Sequence, residues 1–225
     1  MLTFPEEVVL LLLDDEEGVF LSVGKHTLEL ALTGSVLMEL GFADRIDTDL
    51  ERLMVVDRAP TGNSLLDHVL ERVADAEGTK STREWIETLS VEETAATQEQ
   101  ALASLVEHAI LKREQRRLLP EMVQHLWVFR SPRYFVVDAK AKRDPEVRLA
   151  DILFSDEIPD AREAALACLI DACNVLPVLF GEREMERIAP RVELLRNIDL
   201  IGREITGAIA AIEHSKLQSM AHPLA

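Results

Sequence analysis

The 225-residue sequence is poor in aromatic and basic residues. Aromatic residues make up 4% of the chain, and 41 acidic residues outnumber 24 basic ones, which gives a formal net charge of −17. This charge argues against a nucleic-acid-binding protein, which needs a basic face, and against general adhesion to anionic membranes. The scarcity of aromatics, together with abundant leucine, alanine and glutamate, favours helices over sheets.

Long apolar runs and closely placed cysteines are also lacking. The longest apolar run, residues 8–13, has six residues and is too short to cross a bilayer. The stretch "MLTFPEEVV" has no basic region typical of a signal peptide, so we predict a cytoplasmic protein. Cys168 and Cys173 are five positions apart in a helical pattern, which places them on different faces. We therefore expect buried thiols rather than a disulfide.

Motifs for catalysis or metal binding are absent from the sequence. The six histidines are scattered and show no zinc-ligand spacing. The stretch "GVFLSVGKHT" resembles a phosphate-binding loop, but five residues separate Gly18 from Gly24 where four are needed. His26 also replaces the serine or threonine that would bind magnesium. We predict no enzyme activity, no metal and no cofactor.

Apolar periodicity predicts a mainly α protein, with helices along most of the chain. In "SLLDHVLERV" the apolar residues recur at helical spacing after Asn63 or Ser64 as N-cap, and Trp85 is expected in the core. Residues 5–18 are predicted to form a short buried helix that ends at Gly18, and residues 53–57 an extended segment. No repeat or long linker divides the sequence, so we predict one globular domain over residues 1–225.

One stretch, "LWVFRSPRYFVVD" at residues 126–138, contains four of the ten aromatic residues. It is predicted to form a β-hairpin around an Arg-Ser-Pro-Arg turn. Its two arms are continuously apolar: Leu126, Trp127, Val128 and Phe129, then Tyr134, Phe135 and Val136. A strand with one exposed face alternates apolar and polar residues, whereas these arms do not. Such a hairpin must bury both faces against its own core, another subunit or lipid.

Basic residues surround this predicted hairpin. Residues 112–143 contain nine basic and three acidic residues. The candidate lipid-headgroup ligands are Lys112, Arg113, Arg116, Arg117, Arg130 and Arg133. Near an anionic membrane each basic residue contributes about 1 kcal/mol, and charges farther than about 8–10 Å are largely screened. Arginine and aromatic residues are also enriched at protein interfaces, so a subunit contact remains an alternative.

The order of several motifs resembles the Golgi phosphoprotein 3 family. These motifs are "EEVVLLLLDDEEG", "LTGSVLMELGFADRI", "APTGNSLLDHVLERV", "REWIETLS" and "LVEHAIL", and the similarity covers most of residues 5–180. The resemblance implies a central helical bundle with an apolar hairpin that serves membrane contact and self-association. It also implies binding of phosphatidylinositol 4-phosphate and a non-catalytic adaptor role that holds client proteins at Golgi membranes.

The sequence departs from this family at the phosphoinositide pocket. Ungapped matching puts Gly24 and Thr33 where the family has a tryptophan and an arginine, and Ala95 and Gln98 where it has further arginines. A phosphate monoester needs several positioned arginines or lysines, so we expect no specific recognition of phosphatidylinositol 4-phosphate.

Two functions follow from the sequence. The first is a peripheral membrane adaptor that binds phosphoinositide or other anionic phospholipid surfaces through residues 126–137, forms a homo-oligomer and binds client proteins but no nucleic acid. The alternative is a soluble homo-oligomer whose hairpin is a subunit contact.

Overall fold

The N-terminal apolar run forms the first helix and lies within the core. The computed structural model describes residues 2–49, 52–78, 80–114, 132–196 and 200–221. Every residue of this first helix is buried. Within these ranges the helices are α1 Phe4–Leu12, α2 Lys25–Phe42, α3 Ser64–Ala74, α4 Thr82–Glu92, α5 Thr94–Glu107, α6 Ala139–Phe154, α7 Ala161–Ala172, α8 Leu176–Phe180, α9 Glu182–Leu195 and α10 Leu200–Ala221. The predicted mainly α class is confirmed.

Four short strands form two antiparallel sheets in the described part of the chain. Strands β1 (Ile46–Thr48) and β2 (Leu53–Val55) pair with each other, as do β3 (Leu111–Glu114) and β4 (Arg133–Val136). The extended segment predicted at residues 53–57 is confirmed over residues 53–55 as β2, and its pairing with β1 is an addition to the predicted fold.

Helix α2 is the centre of the bundle. It packs against α1, α3, α4, α5, α7 and α10. Its glycine at position 34 lies where α7 and α10 approach, because a Cβ atom built there would be 2.7 Å from Leu169 Cδ1 and 2.7 Å from Ile209 Cδ1. The side chains of Ile205 and Ile209 on α10 are fully buried, so α10 completes the core.

Local signals in the sequence set several helix ends. Asn63 caps α3, since its side-chain oxygen accepts hydrogen bonds from the backbone N–H groups of Leu65 and Leu66. Trp85 on α4 is 4% exposed, which confirms its predicted place in the core. The two cysteines are buried thiols, as predicted, at Cys168 and Cys173. No helix among the described residues is long and apolar enough to span a bilayer.

Helix α1 ends earlier than predicted. It ends at Leu12, and the acidic residues that follow form a separate turn that ends at Gly18, where φ is +65°. The side chain of Asp14 holds this turn, because its Oδ1 atom accepts hydrogen bonds from the backbone N–H groups of Glu16 and Glu17 at 2.9 and 2.7 Å. Aspartate favours such turns over helix continuation because its short side chain bonds the nearby backbone.

Candidate functional site

Strand β4, which contains the second arm of the predicted hairpin, pairs with the charged strand β3. Its residues Tyr134 and Phe135 are in register with Arg113 and Lys112, so the second arm of the predicted hairpin pairs with β3. The first arm, residues 126–129, lies outside the residues that the structure describes. The end of the sheet is fixed where the backbone N–H groups of Val137 and Asp138 reach the carbonyl oxygen of Ile110. The pairing was missed because three of the four residues of β3 are charged and exposed, which obscures the strand pattern.

The three aromatic and aliphatic residues predicted on the second arm are half-buried. Tyr134 and Val136 pack against the core, whereas the Lys112 ammonium lies 5.7 Å from the centre of the Phe135 ring. The next residue, Val137, is 57% exposed. This arm therefore belongs in part to the core and in part to the surface.

The basic candidates divide into two groups. Lys112, Arg113 and Arg133 lie on the paired strands, where Glu114 is in register with Arg133. The remaining predicted site residues fall outside the residues that the structure describes: Arg116, Arg117, Leu126, Trp127, Val128, Phe129 and Arg130. The three basic residues of the paired strands, Lys112, Arg113 and Arg133, are together called the basic edge below.

The acidic turn at residues 14–18 packs directly against β4. The backbone N–H of Tyr134 donates to the carbonyl oxygen of Gly18 at 2.8 Å. Arg133 Nη1 donates to the Glu17 carbonyl oxygen at 3.0 Å and lies 3.5 Å from the Glu17 carboxylate. A Cβ atom on Gly18 would be 3.0 Å from the carbonyl oxygen of Tyr134, so glycine permits this close approach.

The acidic turn places negative charges close to the basic residues of β3 and β4. Glu17 lies beside Arg133 of β4, and Asp15 forms an ion pair with the buried Lys142 at 3.4 Å. Lys112 is paired with Glu114 at 2.7 Å. Part of the protein's negative charge therefore lies close to the basic edge. This part comes from the run "DDEEG", whose position beside the strands the sequence does not reveal.

A groove lies between helix α5, the acidic turn and the strands β3 and β4. It encloses about 510 Å³, a size typical of sites for small ligands. Its lining residues are Leu13, Gly18, Val19, Phe20, Ala95, Gln98, Glu99, Leu102, Arg113, Pro132 and Tyr134. We call it the α5 groove.

Two of the positions matched to the family pocket line the α5 groove, and two do not. Ala95 and Gln98 face it from α5. Gly24 is instead the N-cap of α2, and Thr33 is buried within the same helix at 4% exposure. The structure thus brings the α5 pair to the groove and leaves the other pair outside it.

The α5 groove contains one cation and one anion. Arg113 projects from β3 and Glu99 from α5, and both residues are exposed. Neither forms an ion pair with any other residue in the described part of the chain. A groove with a single arginine lacks the set of cations that a phosphate monoester requires.

Comparison with known proteins identifies the family. The model of the Golgi phosphoprotein 3 (GPP34) family matches residues 4–212. The chain belongs to the Golgi phosphoprotein 3 family. The predicted resemblance is confirmed, and this family match extends beyond residues 5–180 into α10.

Two curated relatives carry the name vacuolar protein sorting-associated protein 74. The protein from Schizosaccharomyces pombe is 28% identical over 209 residues, which cover 78% of this chain and 59% of the relative. The protein from Eremothecium gossypii is 26% identical over 220 residues, which cover 83% of this chain and 63% of the relative. The chain therefore spans less than two thirds of the length of these relatives.

Proposed function

We propose that this chain is a non-enzymatic, peripheral membrane adaptor that binds anionic phospholipid surfaces through the basic edge. The observation that carries the proposal is the placement of Lys112, Arg113 and Arg133 on paired strands beside half-buried aromatic residues. Arginine and lysine next to aromatic side chains are typical of surfaces that contact the membrane interface. Membership of the Golgi phosphoprotein 3 family and relatives named for protein sorting support an adaptor that acts on membranes.

The strand register adds support for this edge. Glu114 and Arg133 are paired, so the described residues nearest to each side of residues 115–131 lie at neighbouring positions in the sheet. This segment carries the other three predicted basic residues, Arg116, Arg117 and Arg130, and the apolar arm at residues 126–129. The proposed membrane contact thus combines the basic edge with the segment attached to it, within a single domain at residues 1–225.

A soluble homo-oligomer is the second candidate function. The observation that favours it is Val137, which directly follows β4 and is 57% exposed. A second copy of the chain that covers this valine and the basic edge would bury the same surface that lipid would cover, with arginine and aromatic residues at the contact.

Vesicle flotation at low and high salt separates the two functions. We expect the protein to float with phosphatidylserine vesicles at low salt, to be released at high salt, and to show no preference for phosphatidylinositol 4-phosphate at equal membrane charge. The double variant Lys112→Glu, Arg113→Glu should float at least tenfold less, because it changes the local charge by four units at about 1 kcal/mol each before screening.

Lys25→Glu, which changes the charge by two units, is the control because Lys25 is highly exposed on α2, a helix that contributes no residue to the basic edge. Equal losses in this control and in the double variant would argue against a localised membrane contact. Absence of flotation, together with a molecular mass that increases with protein concentration, would favour the homo-oligomer.

Glu17→Gln should strengthen binding to anionic vesicles about threefold to fivefold, since it removes one negative charge beside Arg133 at about 1 kcal/mol. The bond from Arg133 to the Glu17 backbone oxygen remains, so the turn should keep its conformation. Flotation at low salt measures the effect, with Glu71→Gln on α3 as a charge-matched control. Unchanged binding by Glu17→Gln would show that the turn does not oppose the membrane contact.

A further inference from the structure

The α5 groove carries two opposite charges that have no partner within the described chain. We infer that the groove binds the phosphoethanolamine headgroup, with Arg113 on its phosphodiester and Glu99 on its primary ammonium. The assignment rests on the proposed membrane function and specifies the class of lipid that the protein selects. It differs from phosphoinositide binding because the ligand has no net charge.

The positions of the two charged residues suit a ligand with two charges of opposite sign. Glu99 lies on the wall formed by α5, and Arg113 lies on the wall formed by β3. Although both side chains line one groove, no ion pair joins them. A zwitterion between the two walls can therefore satisfy the guanidinium and the carboxylate at the same time, which neither a simple anion nor a simple cation can do.

The number of charged residues in the α5 groove favours a phosphodiester over a phosphate monoester as the ligand. A monoester near neutral pH carries close to two negative charges and requires several arginine or lysine donors. The groove offers one arginine, and Glu99 would repel a dianion. A phosphodiester carries one negative charge, which Arg113 matches with two parallel N–H donors.

The polar and apolar lining complete the chemical fit. A primary ammonium has three N–H donors, which the carboxylate of Glu99 and the side-chain oxygen of Gln98 can accept. The quaternary ammonium of a choline headgroup has no N–H donor and would leave these acceptors unsatisfied. Phe20 and Leu102 line the groove beside them and offer an apolar surface to the glycerol end of the lipid.

The test compares vesicles that differ only in the ammonium group. Both vesicle types contain the same minor fraction of phosphatidylglycerol, which has no ammonium, and the remainder is phosphatidylethanolamine or phosphatidylcholine. We expect the unmodified protein to bind the phosphatidylethanolamine vesicles about fivefold more tightly. Glu99→Gln should remove this preference. Arg113→Gln should lower binding to the phosphatidylethanolamine vesicles more than Arg143→Gln does, a charge-matched change of an exposed arginine on α6 that does not line the groove.

Charge-matched controls keep the result specific to the groove. Glu71→Gln alters an exposed glutamate on α3, a helix that contributes no residue to the groove, and should retain the preference. If Glu71→Gln and Glu99→Gln lose the preference equally, general charge is responsible and the inference is wrong. The same comparison controls for the looser headgroup packing of phosphatidylethanolamine vesicles, because all variants meet the same membranes.

The remaining outcomes separate this inference from the proposed function. Equal binding of the unmodified protein to both vesicle types would overturn the headgroup assignment and leave the membrane function intact. If the protein binds no vesicle, the membrane function fails, and calorimetric titration with soluble glycerophosphoethanolamine then tests the groove alone. Heat of binding that disappears in Glu99→Gln would support a site for the soluble headgroup, and no heat would overturn the assignment.

Discussion

Replacing Arg148 with alanine is expected to lower the free energy of unfolding by about 3–5 kcal/mol, the cost of leaving one member of a buried ion pair alone. Arg148 on α6 donates from Nη2 to Oε1 of Glu7 on α1, whose side chain is 2% exposed. Without the guanidinium, the Glu7 carboxylate would remain in the core without that charged partner. Urea unfolding at neutral pH, followed by circular dichroism, measures the change.

Replacing Glu7, the other member of this ion pair, should lower the free energy of unfolding much less. Burial raises the pKa of Glu7 above its ordinary value, and this effect outweighs the nearby Arg148 and Arg162 guanidinium groups, which lower it. A neutral side chain is therefore tolerated at this position, so Glu7→Gln is expected to cost less than about 1.5 kcal/mol, as an isosteric change that keeps a hydrogen-bonding group. Arg148 also retains its bond to Asp144 at 2.9 Å.

The pair also predicts a pH dependence. Because the pKa of Glu7 is higher in the folded than in the unfolded state, its contribution to stability is fully present below the unfolded value of about 4.5 and declines as pH rises through the folded value. Wild type should therefore lose stability relative to Glu7→Gln as the pH rises from 4 upward. A gain by wild type over this range would show that Arg148 more than offsets the burial of Glu7.

Gly34→Val is expected to destabilise the protein by about 2–3 kcal/mol, as overpacking of a well-packed core does. A Cβ atom at this position would be 2.7 Å from the Cδ1 atoms of Leu169 and Ile209, both fully buried. Valine adds two further methyl groups, so α2, α7 and α10 must separate. Thermal unfolding measures the loss.

A second substitution tests this cause. Ile209→Val removes the Cδ1 atom that the new side chain meets and alone should cost about 0.5–1.5 kcal/mol. The double variant should lose about 1 kcal/mol less stability than the sum of the two single losses, because substitutions of residues in contact are not independent. Strict additivity would indicate that the substitution acts through the backbone of α2 rather than through the contact with α10.

The sequence predicted those elements whose signals are local. The α3 stripe and its Asn63 cap follow from residues within one short segment, and so does the buried place of Trp85. The pairing of β3 with β4 was not predictable in the same way, since it joins segments about 20 positions apart and β3 has a single buried residue. The apolar pattern predicted residues 126–129 as the partner of this arm, and these residues lie outside the described part of the chain.

The candidate site was only partly visible for a related reason. Resemblance to the family directed attention to Ala95 and Gln98, which do line the α5 groove, although it could not show what surrounds them. The other lining residues come from segments distant in sequence, such as Phe20 and Tyr134, and only tertiary packing brings them together. The contact between Arg133 and Glu17, 116 positions apart, is of the same kind.

The position of α10 has a consequence for the synthesis of the protein. Ile205 and Ile209 cover α2 and α7, so the core remains open until this helix has left the ribosome. Until then, the apolar faces of α2 and α7 that α10 later covers stay available to chaperones or to other nascent chains. Substitutions that weaken α10 should therefore reduce the yield of newly made protein as well as the stability of the folded protein.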